Sequence, residues 1–204
     1  DGSVSAPAVT GTDSNTGITF PSADTIKLST GGVERLQITN SGCSGTGLGK
    51  ILQVVSASKK GPTSSTSSSF AAITGLSASI TPSSASNKIL VRVCLGTVAT
   101  SNNQYGMFIR LYKDGSHLSD ASAPSAGSRI PCFIGGRTTN TQHSQGYAGE
   151  YLDTAGGTSS ITYAVYWTAE SGFGTIFLNC EQGNPDGSAY LHNISTITLM
   201  EVAA

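Results

Sequence analysis

The residues of this chain that could do chemistry are few, and their spacing argues against most of it. GTGLGK at 45–50 invites comparison with a phosphate-binding loop, which needs Gly, four residues, then Gly-Lys followed by Ser or Thr. Ser44 stands where the first Gly belongs, and Ile51 where the Mg²⁺-holding hydroxyl belongs. A flexible joint is the expectation there. His117, His143 and His192 are far apart, and none has a second His or a carboxylate at metal-ligand spacing. Solvated loop histidines are expected, with His192 the exception if a three-fold axis turned one side chain into three ligands. Glu150 and Asp153 are the closest carboxylate pair, and glycoside hydrolysis needs two carboxylates flanking one bond. Residues three apart on an extended strand point to opposite faces, so this pair is poorly placed. No G-x-S-x-G elbow supports an esterase. The expectation is a protein that is not an enzyme and carries no cofactor and no metal.

Three polar segments remain: TSNNQY at 100–105, RTTNTQHSQGY at 137–147 and EQGNPDGSAY at 181–190. Each combines Asn or Gln with a terminal Tyr. Amides match sugar hydroxyls while an aromatic face packs on apolar C–H patches. Tyr105, Asn140, Gln142, Tyr147, Asn184 and Tyr190 are therefore the candidate ligand-binding residues. Polar loops with an anchoring Tyr also occur without any ligand. Trp167, the only Trp, sits mid-strand on an apolar face and reads as core.

Composition excludes several partners. Charged residues make up 11% of the 204, against roughly 25% in an average globular protein. Solubility must rest on hydroxyls and amides. Net charge is −1, and the 11 Lys and Arg include one adjacent pair, Lys59 and Lys60. A nucleic-acid binder needs a basic stripe to displace phosphate counterions, so nucleic acid is not expected. No apolar run approaches the roughly 20 residues that span a bilayer, so no membrane contact is expected. The start, DGSVSAPAVTG, has no signal-peptide character and no Met, as expected of a fragment or trimmed form. Cys43, Cys94, Cys132 and Cys180 show no C-x-x-C pair or zinc spacing; free core or surface thiols are expected rather than disulfides.

The elements that must position these residues are strands. From about 50 onward, β-prone runs bounded by turn signals recur every 8 to 15 residues or so: ILQVVSA, FAAITGLSASI, KILVRVCLGTV, MFIRLYKDGSHL, SRIPCFI, GYAGEYL, SSITYAVYWTAE, GTIFLNC and NISTITLMEV. Asp114-Gly115 marks a hairpin, because a type I′ turn needs positive φ at both central positions. Ile161, Tyr163, Val165 and Trp167 share one face, as do Ile89, Val91, Val93 and Leu95, and these are the expected core faces. The last strand places Ile194, Met200 and Val202 on one side and Ile197 and Leu199 on the other. Two apolar faces at a chain end predict burial between subunits. No amphipathic helix is visible. Residues 1–50 differ: GITFPSADTIKLS and GGVERLQITNSGCSGTGLG hold too few apolar residues to enclose a core alone, so they need partners.

ITGLSASITPSSASNKILVRVCL at 73–95 and NISTITLMEV at 193–202 together resemble the C-terminal heads of bacteriophage fibre proteins. The segment around ERLQI, followed by Ser41-Gly42, resembles fibre shafts in which three chains intertwine. Cys43 and Ser44 follow that pair where apolar residues are commoner. The resemblance implies an all-β chain with a short intertwined β-rich shaft at 1–50 and an antiparallel, jelly-roll-like β-sandwich head at 51–204. It also implies a homotrimer in the virion, joined to other virion proteins through its N-terminus and attaching to a host surface glycan or receptor by multivalent contacts. The alternative is a capsid decoration fibre or other trimeric structural filament without a specific ligand.

Overall fold

The computed structural model describes residues 1–45, 50–102, 105–137, 145–170 and 174–204. The chain divides into two compact units, Asp1–Lys50 and Ile51–Ala204. In the first, β1 (Gly2–Ser3) pairs with β2 (Ala6–Pro7). Then β3 (Val9–Thr10), β4 (Gly17–Thr19), β5 (Ile26–Thr30), β6 (Val33–Thr39) and β7 (Gly42–Ser44) run as an antiparallel meander. Gly31-Gly32, both at positive φ, closes the tight β5–β6 turn that side-chain-bearing residues resist. The only buried side chains described in this unit are polar, Thr19 and Ser29, while Val9, Phe20, Ile26, Leu28, Val33 and Ile38 are exposed. A sheet of this kind closes no core of its own.

The second unit is an antiparallel β-sandwich of the jelly-roll-like kind. One sheet holds β8 (Ile51–Lys60), β9 (Thr63–Ser65), β11 (Lys88–Thr100), β15 (Gln145–Thr154), β17 (Ile176–Leu178) and β18 (Ile194–Val202). The other holds β10 (Ala71–Ile80), β12 (Gly106–Lys113), β13 (Ser116–His117), β14 (Ile134–Arg137) and β16 (Ile161–Ala169). Among the described residues the only helical turn is a short 3₁₀ piece, Ser119–Ala121. Alternation settles the faces as predicted: Ile89, Val91, Val93 and Leu95 of β11 meet Ile161, Tyr163, Val165 and Trp167 of β16 in a core that also takes Leu76, Ile109 and Leu111. Fully burying each such aliphatic side chain contributes roughly 1.5–3 kcal/mol. Asp114 and Gly115 have φ of 49° and 79° and join β12 to β13 as a two-residue hairpin.

The structure corrects two expectations. SRIPCFI is not a strand before Ile134; it ends an excursion, residues 118–133, that leaves the sheet and returns to it. Pro131 has no N–H for a ladder, its carbonyl is taken by Arg110 Nε at 2.8 Å, and Ala123 N–H donates across the loop to Cys132 O. Cys94 stands on the outward side of β11 and is half-exposed, whereas Cys180 is buried. Leu199 and Ile197 do not face a neighbouring subunit, since both are 0% exposed in the chain's own core. The outward side of β18 carries the other apolar set. Val54, Met200, Leu90 and Leu152 stand in register across β8, β18, β11 and β15, with Val54 56% and Leu152 51% exposed.

Two buried polar clusters fasten this sandwich. Glu201, 1% exposed, accepts four hydrogen bonds from neutral donors: Ser83 N–H and Oγ at 2.7 Å, Asn87 Nδ2 at 2.6 Å and Gln53 Nε2 at 2.6 Å. Burial pushes its pKa up, but the bonds from Asn87, Gln53 and Ser83 outweigh that and hold it at about 2. Asp153 Oδ2 accepts from Lys113 Nζ at 2.7 Å and Tyr163 hydroxyl at 2.6 Å. Burial first, then that hydrogen bond, raises the Tyr163 pKa.

Candidate functional site

The described residues bring no three His, Cys, Asp or Glu together as a metal site. Glu150 and Asp153 take opposite faces of β15, the first exposed and the second held by Lys113 and Tyr163. They flank no common space. Cys43, Cys94, Cys132 and Cys180 are free thiols.

The third polar segment does form a hollow. Asn184 lies in the left-handed region at φ 49° with its N–H on Glu181 O at 3.0 Å, and Tyr190 N–H reaches Gly187 O at 3.1 Å. These two turns curl residues 181–192 around a cavity of about 280 Å³ lined by Pro62, Asn184, Asp186, Tyr190 and His192. The loop is clamped at its base. Asn179, fully buried and at φ 64°, donates through Nδ2 to Lys59 O and Gly61 O at 2.9 and 3.1 Å and accepts from Ser195 Oγ at 2.6 Å. Thr97 Oγ1 donates to Asn193 Oδ1 at 2.6 Å, and Gln182 Nε2 to Ser101 O at 2.8 Å. Such anchoring leaves Tyr190, 49% exposed, and Asn184 at the rim of a preformed polar hollow.

The other candidates are placed differently. Tyr105 precedes β12 and is half-buried. Asn140, Gln142 and His143 lie outside the described residues. Tyr147 is not at a loop tip: it sits in β15, packs on the core, and fills the space beside Gly136, where an added Cβ would collide with its hydroxyl. Burial raises its pKa. The structure thus joins Asn184 and Tyr190 in one cavity and gives Tyr147 a packing role.

Sequence reasoning missed a larger hollow, about 610 Å³, on the outer face of the second sheet. Phe108, Arg110 and Tyr112 alternate with the buried Ile109 and Leu111, so all three project outward from β12. The guanidinium carbon of Arg110 sits 4.0 Å from the Phe70 ring centroid, and Tyr112 stacks on Tyr166 with centroids 3.7 Å apart and planes at 14°. His117 packs against Tyr112 at 5.8 Å, and its Nε2 shares a hydrogen bond with Ser122 Oγ at 3.0 Å. Burial, then the Arg110 charge, lowers the His117 pKa, which favours the uncharged ring. The signal was present in FIRLYK, where period-2 alternation puts a cation and two aromatics on the face opposite the core.

No protein-family model matches this chain, and no curated protein matches it. Among solved structures it is weakly similar to proteins of infectious bursal disease virus. The Gt-strain structure shares 12% identity at a TM-score of 0.37, over 88% of this chain and 48% of that one. The Gx-strain structure shares 14% at 0.37, over 96% and 48%. The VP2 subviral particle shares 13% at 0.35, over 96% and 50%. The chain spans about half the length of the chains it matches.

Proposed function

We propose that this chain is a bacteriophage fibre subunit, a homotrimer in which residues 1–50 intertwine as a shaft and residues 51–204 form the head that attaches to a host-surface glycan. The observation that carries the reading is the first unit's missing core. Its meander exposes Val9, Phe20, Ile26, Leu28, Val33 and Ile38 and, among the described residues, buries no apolar side chain. Exposed apolar area of this kind needs cover, and further copies of the same chain supply it symmetrically. The outward row of Val54, Met200, Leu90 and Leu152 supports the same association in the second unit. Attachment is assigned to the 181–192 hollow, whose amide, imidazole and exposed phenol match sugar hydroxyls and ring faces. Three weak sites on one trimer give avidity without a tight single contact.

Light scattering at micromolar concentration tests the assembly: the mass of three chains is expected, and that of one chain ends the trimer reading. Adsorption of the purified protein to host cells or extracted polysaccharide tests attachment. Tyr190→Ala should weaken each site about fivefold, since one stacking contact is worth on the order of 1 kcal/mol, while mass and melting temperature stay near the parent's. Trp167→Ala is the folding control. Parent protein that adsorbs to no host surface favours the structural-filament reading instead.

A further inference from the structure

We infer that the hollow over Arg110 is a binding site for a saccharide residue that carries a carboxylate. It is separate from the 181–192 cavity and stands or falls without the fibre assignment. Arg110 is half-buried and already oriented. Its Nε donates to Pro131 O at 2.8 Å, and its plane lies over Phe70. Those contacts use one of five guanidinium protons. Among the described residues no carboxylate comes within ion-pair distance of Arg110, and no acceptor takes its four Nη protons. Lys27, Lys113 and Arg137, by contrast, each hold a carboxylate. A fixed, partly desolvated and unneutralised guanidinium is complementary to an incoming carboxylate, which it can grip with two parallel hydrogen bonds.

The rest of the hollow selects among anions. Asp120 lines it and accepts hydrogen bonds only, so it disfavours a doubly charged phosphate or sulfate while offering a sugar hydroxyl an acceptor. Ser122 and Ser125 add hydroxyls. His117 lines the hollow as well, its Nε2 held by Ser122 Oγ. Pro124 and Pro131 give apolar edges for ring C–H groups. A single carboxylate on a polyhydroxylated ring, as in a hexuronic or sialic-type acid, satisfies every one of these groups. Neither a neutral sugar nor a bare anion does.

Calorimetric titration of the full chain at fixed, low ionic strength tests this with four probes: glucuronate, N-acetylneuraminate, glucose and acetate. At least one of the acidic sugars is expected to bind at least about tenfold more tightly than glucose and acetate, as suits a charge-assisted bidentate contact. Arg110→Gln should abolish that difference, and Arg110→Lys should lose most of it because an ammonium cannot present the two-pronged geometry. Because Arg110 also ties down the 118–133 excursion, Asp120→Asn serves as the second variant. It leaves the Pro131 and Phe70 contacts alone and should tighten acetate while narrowing the preference for the sugar acid. The proposal is overturned if both acidic sugars bind no better than glucose, if Arg110→Gln retains the preference, or if Asp120→Asn leaves all four affinities unchanged.

Discussion

Glu201→Gln isolates the cluster that fastens the last strand to the 81–87 turn. The carboxylate gathers four donors without any cation, so its ionised form is favoured by hydrogen bonds alone. A carboxyl held at about 2 when folded and at its ordinary 4.5 when unfolded contributes at most about 3.5 kcal/mol at neutral pH, each tenfold in proton affinity being worth about 1.4 kcal/mol. Hydrogen bonds to a charged acceptor, at about 1.5–3 kcal/mol each, exceed this only before the several kcal/mol of desolvation is subtracted. The two routes agree. The amide keeps the shape but replaces one acceptor oxygen by a donor, which must face Gln53 or the Ser83 and Asn87 side. The folded pKa is depressed, so the contribution is complete above pH 4.5 and disappears as the pH falls from there toward 2. Thermal melts at one protein concentration should therefore separate parent and variant by about 7–14 °C at pH 7, at about 2–4 °C per kcal/mol for a chain of this size. The gap should close on acidification. Comparing parent with variant cancels the other carboxylates. A gap below about 2 °C at pH 7, or one that stays constant down to about pH 2, would refute the reasoning.

Leu199→Asp should prevent folding, because it buries a charge without a partner at several kcal/mol, and soluble yield with circular dichroism checks this. Leu152→Asp, on the outward row, should keep the parent's β spectrum while shifting the light-scattering mass toward one chain. Gly115→Ala should destabilise by about 1 kcal/mol, since it forces a Cβ into the left-handed region at the β12–β13 turn; denaturant melts that match the parent's would contradict the I′ geometry. Asp153→Asn leaves Lys113 with a neutral partner and should cost about 1.5–3 kcal/mol, again read by denaturant melts.

The strands of 51–204 were legible because burial on one face imposes period 2. The signal failed where that rule stopped applying. SRIPCFI is apolar enough for a strand, yet Pro131 removes a ladder donor, and the run is held by a side chain, Arg110, whose reach no local pattern announces. The last strand was read correctly as apolar on both faces, but periodicity cannot say which face meets the chain's own second sheet. Ile197 and Leu199 pair with Val93 and Val91, which the same alternation had already assigned to the core; carrying that register across β11 would have turned Leu199 inward. Glu201 was overlooked for a related reason. It occupies an inward position of the strand, and inward carboxylates read as errors in a pattern until Ser83 and Asn87, more than a hundred residues earlier, are brought beside it. The candidate site divides along the same line. Asn184 and Tyr190 share a cavity because each ends a hydrogen-bonded turn, 181–184 and 187–190, with Pro185 and Asp186 between them, whereas Tyr147 was placed by its neighbourhood in sequence although Gly136, on another strand, determines where its ring can lie. What the chain needs in order to hold Arg110 ready for a carboxylate, namely Phe70, Pro131 and the empty space beside Asp120, comes from two segments remote from its own strand, the entry to β10 and the 118–133 excursion. The alternation in FIRLYK could announce the outward cation, and only the fold could show that no carboxylate among the described residues neutralises it.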